Sequence, residues 1–234
     1  MPGPYDPAVR RIALLCLLLA VTACGDGGDD VGDARAALVR DAAIQAGLDD
    51  AAADFLALAA RGQTATYQAT YPGPEDDTSI VVANRPPDRR IDVLDGDRIV
   101  EVQLVVDGEA FSCPRDTEAD AILECDRTDA IVEPLGVFGP ETIDSLATAL
   151  AGRVDDYTFS VETSPIAGVE ASCLVTNIRP GRERADLADS GTLCVSPQGA
   201  LLRVAQGEEL LEATDYTTDI PASTFVRPDQ DDDK

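Results

Sequence analysis

The sequence predicts an α+β domain whose strands pair antiparallel. Three observations carry this. Residues 34–61 are alanine-rich, with Leu38, Ile44, Leu48, Phe55 and Leu58 at roughly helical spacing. After Gly62 the period switches from three-to-four to two, and short alternating runs follow one another. Asp-Gly pairs at 95–96 and 107–108 separate several of those runs, and such pairs favour tight hairpins.

The elements follow in order. Gly47 and the Asp49-Asp50 pair break the helical stretch, so two helices or one bent helix are expected, with an N-cap at the aspartates. Residues 65–71 alternate, with Tyr67, Ala69 and Tyr71 on one face and Thr66, Gln68 and Thr70 on the other. Strands are predicted at 79–84 and, past Pro86-Pro87, at 90–94. The strongest is 99–107, with Val100, Val102, Leu104 and Val106 inward and Glu101 and Gln103 outward. Shorter strands are expected at 110–113 and 121–125. Pro134, Gly136, Gly139 and Pro140 mark loops, and 141–151 reads as a mid-chain helix with Ile143, Leu146 and Leu150 on one stripe. Strands resume at 157–161, 169–178, 192–196 and 201–205, and a single closing strand is expected over 209–216.

The N-terminal residues set the address. Arg10-Arg11 precede an apolar run from Ile12 to Val21, and small residues lead to Cys24. This is the layout of a secretory signal peptide. Its ten apolar residues fall short of the about 20 that a transmembrane helix needs. Val21-Thr22-Ala23-Cys24 resembles the lipobox of bacterial lipoproteins. That resemblance implies a diacylglyceryl group on the Cys24 thiol and cleavage just before it. The expected organisation is signal peptide over 1–23, acidic flexible tether over 24–33, folded domain over 34–228 and acidic disordered tail over 229–234. The tether expectation rests on the glycine- and aspartate-rich run Gly25 to Asp33, which lacks the D-x-D-x-D-G order of a calcium loop. The expected location is the extracytoplasmic face of the cell membrane.

Composition excludes several function classes. The formal net charge is −26; residues 1–23 carry Arg10, Arg11 and Asp6, so the remainder stands at −27. Such a chain repels nucleic acid and anionic headgroups. There is no histidine, which removes the Ser-His-Asp triad, the Cys-His pair and the ordinary catalytic zinc site. No spacing singles out a carboxylate pair, so no catalytic residue, cofactor or metal ligand is assigned, and a non-enzymatic role is expected. With Cys16 in the signal and Cys24 acylated, Cys113, Cys125, Cys173 and Cys194 remain. An even set in an exported chain reads as two disulfides. Three connectivities are possible, and Cys113–Cys125 with Cys173–Cys194 is favoured because each joins a local pair of strands.

The order of pieces resembles the LolA/LppX-like superfamily of bacterial envelope proteins. The stretches carrying it are Tyr67 to Tyr71, Asn84 to Val93 with its Pro-Pro, Leu193 to Leu202 and Ala213 to Phe225. The resemblance implies a curved antiparallel half barrel, N-terminal and mid-chain helices on its concave face, and an apolar cavity between them for a lipid. Tyr67, Val100, Val102, Leu104, Val106 and Phe159 are the side chains placed to line it. The alternative is an envelope interaction or sensor domain in which these residues form a filled core.

Overall fold

A computed structural model describes residues 28–115, 124–129, 153–182 and 190–230. Helix α1 spans Gly28–Gln45 and α2 Asp50–Arg61. The break falls at Gly47, whose φ of 97° suits glycine, and the Asp49 side chain caps α2 by accepting from Ala52 N. Residues 28–33, expected as tether, are helical instead. Glycine and aspartate are weak helix formers, so tertiary contact decides here. Asp33 pairs with Arg61 of α2 at 3.0 Å, and Gly32 lies so close to Thr64 that a Cβ would meet its Oγ1 at 2.2 Å.

Twelve strands follow among the described residues: β1 Tyr67–Pro72, β2 Thr78–Arg85, β3 Asp88–Asp95, β4 Arg98–Val106, β5 Glu109–Pro114, β6 Asp126–Thr128, β7 Tyr157–Ile166, β8 Val169–Ile178, β9 Gly191–Val195, β10 Leu201–Gln206, β11 Glu209–Glu212 and β12 Asp215–Thr217. They make two sheets, ordered β12-β1-β2-β3-β4-β5-β6 and β11-β10-β9-β8-β7, with antiparallel pairing throughout. The strand expected at 121–125 is displaced. Residues 124–125 are not strand, and Asp126–Thr128 pairs with β5. The mid-chain helix at 141–151 lies outside the described residues, as does most of the tail. Residues 228–230 of the C-terminal stretch form a short 3-10 turn, with Asp229 paired to Arg227.

The closing strand divides in two. Leu202 O accepts from Ala213 N, and Thr70 O accepts from Thr214 N, so the chain leaves the second sheet at 213 and enters the first at 214. Ala213 is buried at the crossing. Periodicity cannot see this step, because both halves keep the alternation of strands.

The main core forms where α2 meets both sheets. Phe55 and Leu56 from the helix pack with Tyr71, Ile80 and Ile91 of the first sheet and with Ile166, Leu174 and Leu202 of the second. The C-terminal end of α2 reaches the β9–β10 turn backbone to backbone. A Cβ on Gly62 would lie 1.9 Å from Gly199 O, and one on Gly199 would lie 2.0 Å from Leu58 O. Only two glycines permit that approach. Buried Asn84 ties the loop after α2 to β2, donating to Gln63 O and Ala65 O at 3.3 and 2.8 Å.

Candidate functional site

Directly paired residues of an antiparallel sheet share a face, so the register sorts the expected cavity-lining side chains. Ala69, Val82, Ile91 and Gln103 stand in line on the face toward the main core. Thr70, Val81, Asp92, Val102 and Cys113 stand in line on the opposite face. Tyr67 therefore belongs to the main core, with Phe159 packed against it. Val102 and Leu104 belong to a second cluster with Phe111 and Cys113, against which Val106 packs. Val100 is partly buried at the β3–β4 register shift, and no partner in β3 stands opposite it. The six residues do not gather around one space. Gln103, expected outward, is buried on the core face and donates to Glu101 Oε1 at 2.8 Å. Burial of the three consecutive residues Val102, Gln103 and Leu104 in β4 marks both faces as covered, where the sequence alone suggests one.

The second cluster is capped by the chain's last described stretch, which sequence reasoning missed. Residues 221–230 run as two short 3-10 turns, Ala222–Phe225 and Pro228–Gln230. Arg90 Nη1 donates to Thr224 O at 2.9 Å and to Val226 O at 3.4 Å. The Arg85 guanidinium lies 4.3 Å from the centre of the buried Phe225 ring, and that of Arg227 lies 4.4 Å from the Phe111 ring. Cation–π contacts of this kind contribute about 0.5–2 kcal/mol each, more as water is excluded. Arg90 also pairs with Asp92 at 2.7 Å, the two side chains being only 13% and 16% exposed. Burial pushes the Asp92 carboxyl above its usual range, while the Arg90 charge and hydrogen bond pull it back. The only sequence signal for this strap is an isolated aromatic, Phe225, ahead of the acidic tail.

A polar seam joins the two sheets. Tyr71 is buried, and its hydroxyl donates to Leu201 O on the second sheet. Burial raises its pKa well above the ordinary tyrosine value. Tyr216 stacks on Tyr67, and its hydroxyl bonds Ser196 Oγ at 3.0 Å and Gln198 Oε1 at 2.8 Å. Burial raises its pKa too, with the Ser196 hydrogen bond acting against that. These hydroxyls are hydrogen-bonded within the fold, and their pKa shifts follow from structural burial.

One disulfide joins cross-strand neighbours and the other ties β5 to the residue just before β6. Cys173 stands opposite Cys194 in the β8–β9 ladder, with Cα atoms 4.0 Å apart. Cys113 joins Cys125, one residue beyond the Ser112–Asp126 pair, with Cα atoms 4.1 Å apart. Disulfides of this sort belong to proteins that fold in an oxidising, extracytoplasmic compartment. No described helix is long and apolar enough to cross a membrane. Cys24 lies outside the described residues.

A groove of about 360 Å³ runs between α1 and α2, floored by Ala36, Ala57 and Leu58. The charges along it are matched within the hairpin: Arg40 pairs with Asp54 and Asp50, and Arg61 with Asp33. Exposed pairs of this kind contribute little to stability. Among the described residues no three His, Cys, Asp or Glu side chains converge as a metal site. Compared with models of known families and with curated proteins, the chain matches none.

Proposed function

We propose that this chain is a lipid-anchored extracytoplasmic domain that works through its surface, as an envelope interaction or sensor module. Cys24 carries the lipid, and the disulfides staple the domain it holds at the membrane. The two sheets, joined where β11 passes into β12, are read as a curved half-barrel sheet with α2 on its concave side. One observation carries the choice of a surface role over a ligand carrier. Val102 and Leu104 pack on one face of the first sheet and Tyr67 on the other, so the apolar side chains are used in two packed clusters. A carrier needs those side chains turned toward a common space.

Mass spectrometry of the protein extracted from its native membrane under non-denaturing conditions tests the reading. The expected species is the chain from Cys24 with covalent acyl mass alone. Lipid that stays bound non-covalently through repeated purification refutes the surface role in favour of a carrier.

A further inference from the structure

We infer that α1 lies flat on the membrane, with Val31 and Leu38 facing the lipid; this rests on the anchoring at Cys24 proposed above. Only Gly25, Asp26 and Gly27 separate Cys24 from the start of α1. Four peptide units span at most about 14 Å, so the helix begins close to the lipid surface whatever its direction. An upright α1 lifts Leu38 about 15 Å above Gly28, at 1.5 Å per residue, whereas a flat one keeps it at the surface.

The surface chemistry selects the flat arrangement. Val31 and Leu38 are each 45% exposed, and these are two of the five exposed large apolar side chains among the described residues; Ile44, also on α1, lies off their face. Val31, Ala34, Leu38 and Ala42 recur at spacings of three and four, which places them on one face of α1, and all four are exposed. The opposite side of the helix, with Ala36 and Ala43, is buried. Arg35 and Asp41 flank the apolar stripe with opposite charges. Asp26, Asp29 and Asp30 precede Val31, so the apolar contact has to outweigh a residual repulsion from anionic lipid, which Arg35 offsets in part. Partial burial of apolar helix residues at the headgroup boundary is the usual mode of interfacial helices.

The chain contains no tryptophan, so single reporters are clean. The lipidated full chain carrying Leu38→Trp is reconstituted into vesicles of phosphatidylethanolamine and brominated phosphatidylglycerol. Leu210→Trp, at a 62% exposed position on β11, is the control. The Leu38→Trp reporter is expected to lose about half its emission, because an interfacial helix sinks roughly 5–10 Å into the headgroup boundary. The control is expected to keep its emission. Protein that floats with the vesicles while the two reporters behave alike overturns the flat helix and leaves the anchor standing. Protein that does not float overturns the anchor and this inference together. Crosslinking between two copies through residue 38, without quenching, assigns the stripe to self-association and also overturns it.

Discussion

Leu104→Ala separates a packed interior from a hollow one. Leu104 is fully buried, stands opposite Phe111 in the β4–β5 ladder, and neighbours the Val102–Cys113 pair. In a packed cluster the substitution removes three buried carbon atoms and leaves a void that the disulfide-tied strands close only in part. Core Leu→Ala changes of this kind cost about 2–5 kcal/mol, and the cross-link at Cys113 favours the upper half of that range. For a domain of this size each kcal/mol moves the midpoint by about 2–4 °C, so a fall of roughly 7–20 °C is expected. Thermal unfolding of the oxidised protein, followed by circular dichroism, is the assay. The same chain with Leu210→Ala, an exposed position, is expected to stay within about 0.5 kcal/mol of the parent. A loss under about 1 kcal/mol at Leu104, with the fold retained, would mean the side chain borders open space, and the packed-core reasoning would be wrong.

Four further outcomes follow from the same structure. Tyr71→Phe leaves Leu201 O without its tyrosine donor and should cost about 1–3 kcal/mol in urea unfolding, whereas Tyr216→Phe, less buried, should cost under about 1 kcal/mol; equal effects would contradict the seam. Because the Tyr71 pKa is raised on folding, the folded state holds that proton more tightly, so stability should decline as pH climbs above the ordinary tyrosine value near 10; a flat alkaline limb in the stability profile would refute it. Gly62→Ala forces a Cβ against the Gly199 carbonyl and should cost about 1–3 kcal/mol despite the better helix propensity of alanine; a stabilised variant would show that the approach of α2 to the β9–β10 turn is looser than described. Replacing Cys173 and Cys194 together by alanine opens a loop spanning 21 residues and should lower stability by about 3 kcal/mol, read by urea unfolding against the oxidised parent; an unchanged midpoint would remove that staple from the account.

The element pattern was legible where local chemistry alone decides it. Gly47 with Asp49 marked the turn between helices, and Asp107-Gly108, both at positive φ, marked the β4–β5 hairpin. The local disulfide pairs follow from which strands are sequence neighbours. What escaped was decided by contacts between distant segments. The helical start of α1 lies where Gly32 closes on Thr64 beyond α2, and the split of the closing strand depends on Thr70 accepting from Thr214. The opposite placement of Tyr67 and Leu104 depends on the pairing of four strands, which alternation within each strand cannot supply. The C-terminal strap is assembled by arginines more than a hundred positions away in sequence, Arg90 with Thr224 among them.

The decisive property of this domain is whether its folded interior holds a ligand. Native-state mass spectrometry of the membrane-extracted protein, compared with its denatured mass, reads this in one experiment. Equal masses in the two states, each including acyl groups on Cys24, are the predicted result. A native mass that exceeds the denatured one by a lipid would contradict it.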